Sequence, residues 1–303
     1  MISISLSARM MFPGFAAQDF AVNGITIHAV HGGNRAGKPL LLLHGHPQTH
    51  AIWHLIAPRL VERFYVVAAD LRGYGDSAKP PGLPDHANYS KRTMAQDQVE
   101  LMRALGFERF LLCAHDRGAR VAHRLCLDHP AAVEKAVFLD IAPTLDMYEG
   151  TTMEFARAYW HWFYLIQPAP LPETMLGHDP EFYLRSVMAR SEKGLGLFTP
   201  EAFAEYLRCA QLPGAIHAMC EDYRAAAGID LEHDRQSRTE GRKVQCPLTV
   251  IWGQQGVIER CFEPLQLWGR CAETVGGQGF PCGHYIPEEA PELLLEAMLS
   301  FFG

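Results

Sequence analysis

Apolar residues fall in short unbroken runs through the first half of the chain, and each run stops at a glycine, an aspartate or a histidine. "KPLLLLHG", "RFYVVAADLRGYG" and "RFLLCAHD" share this form, the mark of strands buried on both faces of a parallel sheet. The intervening segments keep helical spacing instead. "TMAQDQVELMRALG" predicts a helix stopped by Gly106, and "RGARVAHRLCLDHP" predicts another. "VEKAVFLDIAP" and "CPLTVIWG" read as further strands, and "FAVNGITIHAVHGG" alternates around Asn23-Gly24 as an opening hairpin should. "GHYIPEEAPELLLEAMLSFF" reads as a loop leading into a closing helix. Strands and helices alternating at this interval predict an α/β fold, a mostly parallel central sheet flanked by helices.

The pattern changes after Pro143, where the chain becomes rich in aromatics and helical segments until strand character returns near Cys246. The expected organisation is a core formed by residues 1–143 and 244–303, with a helical cap, 144–243, inserted between its halves. Ligands of parallel sheets bind beyond the carboxyl ends of the strands. Those ends carry His44-Gly45-His46-Pro47, Asp70, Asp116-Arg117, Asp140 and Trp252-Gly253, and a cap over them would close a pocket.

Composition narrows the possibilities. A formal charge of −7 and the lack of any Lys/Arg-rich block argue against a nucleic-acid partner, so an anionic ligand would have to be drawn in by local arginines. The eight cysteines are scattered without a C-x-x-C pair, as expected for reduced thiols in a cytoplasmic protein. The start "MISISLSARMMFPGFAAQDF" makes a poor signal peptide, and no run approaches the roughly 18 apolar residues of a membrane span, so no membrane partner is expected.

The candidate chemistry centres on "AHDRG", a small-x-nucleophile-x-Gly turn between a strand and a helix with Asp116 at its apex. No G-x-S-x-G occurs. Asp116, Asp140 and His284 follow the chain order nucleophile, acid, base of the α/β-hydrolase arrangement, with Glu259 in "WGQQGVIER" as the alternative acid. Arg117 and Arg120 lie three apart, one turn at the start of a helix, and could hold a carboxylate bidentately. "HGHPQTHAIWH" holds four histidines but no H-E-x-x-H, and neither G-x-G-x-x-G nor Walker A is present, so no metal and no cofactor are expected.

"LLLHGHPQTHAIWH", "AADLRGYGDSAKP", "AHDRGAR", "FLDIAPT" and "CGHYIPEEAPE" together resemble the haloacid dehalogenases of the α/β-hydrolase superfamily, the fluoroacetate dehalogenases in particular. The resemblance extends over nearly the whole chain, cap included. It implies hydrolysis of short 2-haloacids, fluoroacetate or chloroacetate to glycolate, by attack of Asp116, an ester intermediate and water activated by His284 with Asp140 behind it. It also implies that Arg117 and Arg120 bind the substrate carboxylate. His161 and Trp162 of "YWHWFYL" and Tyr223 of "CEDYRAA" would stabilise the departing halide, and the backbone N–H groups of His46 and Arg117 would hold the oxyanion. A homodimer is implied as well. Many members have an aromatic residue after His-Gly, where this chain has His46, and that bears on the polarity of the pocket.

Two other functions remain compatible with the sequence. An epoxide hydrolase would use the same Asp and His with a tyrosine of the cap, Tyr159, Tyr164 or Tyr223, protonating the ring oxygen. A non-catalytic binding protein on a hydrolase fold is the other, and the complete Asp/His/Asp set disfavours it.

Overall fold

Eight strands form one sheet in the computed structural model of the chain, which describes residues 11–190 and 193–303. Strands β1 (Ala16–Val22) and β2 (Ile25–Gly33) pair so that Val22 faces Ile25. That leaves Asn23 (φ 46°) and Gly24 (φ 75°) as a two-residue turn with both φ positive, the type I′ geometry that Asn-Gly favours. Strands β3 (Lys38–Leu43), β4 (Phe64–Ala69), β5 (Phe110–His115), β6 (Val133–Leu139), β7 (Leu248–Gly253) and β8 (Val275–Phe280) follow. The order across the sheet is β1-β2-β4-β3-β5-β6-β7-β8, antiparallel from β1 to β4 and parallel from β4 onward.

Leu40 to Leu43, Val66 to Ala69 and Leu111 to Ala114 are fully buried, which explains why these strands read as continuous apolar runs rather than alternations. Strand β8 carries no such signal. Its sequence, VGGQGF, is nearly free of side chains because the chain passes close to β7: a Cβ at Gly277 would lie 1.9 Å from the Val250 carbonyl oxygen.

Helix α1 (Lys91–Ala104) starts at Ser90, whose hydroxyl accepts from the Thr93 N–H, and gives way at Gly106 with φ 90°. Helix α2 (Arg117–Asp128) follows β5 directly. Between β6 and β7 the described residues form helices and no named strand, among them α3 (Trp160–Leu165), α4 (Pro180–Met188), α5 (Pro200–Ala210), α6 (Ala215–Ala227) and α7 (Ile229–Thr239). The chain closes with α8 (Pro291–Phe302). All eight cysteines are free thiols. Among the described residues no helix is long and apolar enough to cross a membrane, and the start of the segment weighed as a signal peptide, residues 1–10, lies outside them.

Candidate active site

Asp116 sits at the N-terminus of α2 with φ 46° and ψ −115°, a conformation that costs a non-glycine residue about 1–3 kcal/mol. The turn is possible because its neighbours lack side chains. A Cβ on Gly118 would come within 2.3 Å of the His44 carbonyl oxygen, and one on Gly45 within 2.4 Å of the Asp116 Cβ. The carboxylate is thereby pushed out of the elbow against the end of β3. There the His46 N–H donates to its Oδ1 at 2.8 Å. Arg117, the next residue, opens the helix, so its N–H belongs to the first turn, where intrahelical acceptors are lacking. Burial raises the Asp116 carboxyl, but the facing His284 and His115 rings and the Arg120 and Arg117 guanidiniums outweigh it and hold it well below the usual carboxylate range.

His284 lies in the loop after β8, and its Nε2 stands 4.0 Å from Asp116 Oδ2. Its Nδ1 is 2.5 Å from Asp140 Oδ2. Asp140 follows β6, also with a positive φ of 51°, and its other oxygen accepts from the Gly253 N–H at 2.9 Å. That division of labour leaves Oδ2 for the histidine. Glu259 instead accepts from the indole N–H of Trp252. His115 props the loop from below, its Nε2 2.8 Å from the His284 carbonyl oxygen.

Arg117 and Arg120 both point inward from the first turn of α2 and are buried. Asp222 of α6 grips Arg117 with Oδ2 on Nε (2.8 Å) and Oδ1 on Nη2 (2.9 Å), and its own carbonyl also accepts from Nη2. The same carboxylate accepts from the Lys91 ammonium and, at 2.7 Å, from the Tyr74 hydroxyl. Arg120 is held by the Thr144 hydroxyl (2.9 Å) and lies 4.6 Å from the Trp162 ring centroid. After these contacts one donor of each guanidinium remains buried without a partner in the protein, Nη1 of Arg117 and Nε of Arg120. Unpaired buried donors on charged groups are costly, and an anion would satisfy both.

His161 and Trp162 enter from α3 and Tyr223 from α6, all three buried. The Tyr223 ring lies 4.1 Å from the Arg117 guanidinium, and His161 and Trp162 pack on it at 5.8 and 6.1 Å. His161 Nδ1, Trp162 Nε1 and the Tyr223 hydroxyl also lack partners. Thus the aromatic residues singled out from the sequence converge with their polar atoms unspent.

The profile of the α/β-hydrolase fold family matches residues 38–291. The chain belongs to that family. A fluoroacetate dehalogenase from Burkholderia sp is 47% identical over 283 residues, 93% of this hydrolase and 92% of the relative. A soluble epoxide hydrolase from Corynebacterium sp. (strain C12) is 33% identical, with 93% and 95% covered. Among solved structures, a protein from Nostoc sp PCC 7120 superposes with a TM-score of 0.92 at 54% identity, covering 95% of this chain and 98% of that one.

Several site residues of this hydrolase carried no signal in its sequence. Asp222, Lys91 and Tyr74 occupy ordinary helix and turn positions, and Tyr148, whose hydroxyl is buried and unpartnered, packs its ring 5.0 Å from Trp162. Of the tyrosines weighed for epoxide chemistry, Tyr159 reaches His284 Nδ1 at 3.4 Å, whereas Tyr164 packs against Trp160. The histidines of the H-G-H-P segment do not converge on a metal. His44 Nε2 accepts from the Leu71 N–H, His50 Nδ1 lies 2.9 Å from Asp70, and His54 Nδ1 contacts the Ala51 carbonyl. Among the described residues one group has metal-ligand geometry, Glu173, His217 and Glu221, and Arg224 already bridges its two carboxylates at 2.6 and 2.7 Å.

Proposed function

We propose that this hydrolase removes halide from short 2-haloacids, converting fluoroacetate or chloroacetate to glycolate without a cofactor. One observation carries the assignment: two buried arginines beside a carboxylate nucleophile, each with an unused donor. Two like charges ~4 Å apart repel by about 4 kcal/mol at intermediate dielectric, so an anionic substrate needs such a clamp to approach Asp116. The 47% identity to a fluoroacetate dehalogenase supports the same substrate class.

In this mechanism the substrate carboxylate bridges Arg117 Nη1 and Arg120 Nε. Asp116 Oδ2, the oxygen not engaged by His46, attacks the halogen-bearing carbon in line. A carbon–oxygen bond forms, the carbon–halogen bond breaks, and the halide leaves toward His161, Trp162 and Tyr223. His284 Nε2 then takes a proton from water, and the hydroxide adds to the Asp116 carbonyl carbon. Negative charge gathers on Oδ1, where the His46 N–H already donates and the Arg117 N–H is the second donor. Asp140 stabilises the imidazolium until the intermediate collapses: the bond from Asp116 to the glycolate oxygen breaks, His284 returns its proton to that oxygen, and the Asp116 carboxyl releases its own proton to become the carboxylate again. A single displacement inverts a chiral 2-halo carbon. A homodimer acting on a small anionic substrate, with no nucleic-acid or membrane partner, completes the proposal.

Epoxide hydrolysis is the runner-up, favoured by the unpartnered Tyr223 hydroxyl and the 33% relative. An uncharged epoxide, however, would leave both guanidiniums unsatisfied. The deciding experiment is the intact mass of His284→Asn after incubation with fluoroacetate, chloroacetate or styrene oxide. A carboxymethyl adduct on Asp116 from the haloacetates alone is expected. An adduct from the epoxide alone would make the runner-up correct, and no adduct with no halide release by the wild type would favour a binding protein.

A further inference from the structure

Of Asp116, Asp140 and His284, the base meets solvent most. The His284 side chain is 13% exposed, against 6% for Asp116 and 0% for Asp140, so the route from solvent to the nucleophile passes it. Two rings flank the imidazole, Tyr159 at 6.1 Å and Tyr285 at 5.0 Å, each at an interplanar angle of 71°. Arg190, two residues beyond α4, stands against both. Its guanidinium lies 5.1 Å from the Tyr159 ring centroid. Its Nε donates at 2.6 Å to the Val187 carbonyl oxygen, which the Tyr285 hydroxyl also approaches at 3.5 Å. Nη1 donates to the Ala158 carbonyl oxygen at 3.3 Å. The residue is solvent-exposed although protein surrounds its side chain, the situation of a group in the wall of an open cleft.

The displacement has no use for this cation, but the approach of substrate does. The chain carries a formal charge of −7, which disfavours entry of an anion. Arg117 is fully buried and paired with Asp222, whereas the carbonyl contacts of Arg190 leave its charge unneutralised. A cation in the wall of a cleft, backed by apolar rings of low dielectric, concentrates small anions there. Resting on the proposed dehalogenase function, we propose that Arg190 is the entry cation of the site. It captures the haloacetate carboxylate beside His284, passes it inward to Arg117 and Arg120, and takes no part in the displacement. Capture precedes cleavage of the carbon–halogen bond, so the effect is the same whichever halide leaves.

The test measures initial rates of halide release from fluoroacetate and chloroacetate by wild type, Arg190→Gln, Arg190→Glu and Arg190→Lys, at low and high ionic strength set with a non-halide salt. At ~10 mM ionic strength kcat/KM for Arg190→Gln should fall about fivefold or more, with kcat within about twofold of wild type. Arg190→Glu should fall further, and the factor should be the same for both substrates. Arg190→Lys keeps the charge and should stay within about threefold of wild type. At ~0.5 M the variants should converge on wild type, because salt screens an exposed charge far more than the buried clamp. Should Arg190→Gln fail to fold, wild type alone reads the same effect, as a fall in its kcat/KM of about fivefold between the two conditions. A loss that ignores salt, falls on kcat or differs between the halides would overturn the inference, as would a salt-independent wild type, while leaving the dehalogenase function standing. A wild type that releases neither halide would remove both.

Discussion

Asp116 owes its position to residues that are nearly absent. Gly45 has no side chain because the Asp116 side chain occupies that space: an added Cβ would lie 2.7 Å from Asp116 Oδ1 as well as 2.4 Å from its Cβ. Gly45→Ala is therefore expected to displace the carboxylate from the His46 N–H and from His284. Halide release should fall by about a hundredfold or more, for a stability loss of about 1–3 kcal/mol measured by urea unfolding. A fully active Gly45→Ala would show that Asp116 is not the nucleophile. At this scale the sequence is informative where chemistry is encoded locally. Asp116, Asp140 and His284 each follow a strand end, and the elbow needs its glycine at a fixed offset. It is silent about Asp222, because nothing near "CEDYRAA" records that the partner of that aspartate lies 105 positions away.

At the scale of elements, legibility followed burial. β3, β4 and β5 are covered on both faces and announce themselves as apolar runs, and the hairpin is written in Asn23-Gly24. β8 is missed because its close approach to β7 demands glycines in place of a pattern. The junction of the short turn after His284 with α5 was equally hidden. There Glu288, buried, accepts from the Tyr206 hydroxyl at 2.9 Å and from the Gln48 amide at 2.6 Å. Burial outweighs both bonds and pushes its carboxyl up to about 8. The folded chain thus keeps a proton that the unfolded chain releases near its ordinary value of 4.5, and this stabilisation is lost as pH rises from there through 8. The slope from this group approaches about 1.4 kcal/mol per pH unit within that window. Unfolding free energies measured across it should fall more steeply for wild type than for Glu288→Gln, whose amide cannot ionise. Parallel slopes would assign the pH dependence elsewhere.

Across the whole molecule, the strand-bearing first half of the chain and the helical segment between β6 and β7 share one buried electrostatic centre. Asp222 lies between β6 and β7, whereas Arg117, Lys91 and Tyr74 lie before β6, and all four side chains are buried. Removing the charge of Asp222 leaves the Arg117 guanidinium without a carboxylate in the interior, for which the usual penalty is about 3–5 kcal/mol, while Lys91 keeps Asp230 at 3.5 Å. Asp222→Asn should accordingly lower Tm, and it should also raise KM for haloacetates, because Arg117 loses the partner that aims its free donor. Thermal melts and initial rates check the two effects together, and a change in stability without one in KM would confine Asp222 to folding.

The ownership of that centre bears on which parts of the chain can be exchanged. A guanidinium from one segment is aimed by a carboxylate from the other, so a helical segment transplanted between β6 and β7 has to bring a carboxylate to the same place. Substitutions in the aromatic wall of His161, Trp162 and Tyr223 leave that pairing intact, one side chain at a time. Wholesale exchange of the segment between β6 and β7 is open only to replacements that bring an aspartate where Asp222 stands.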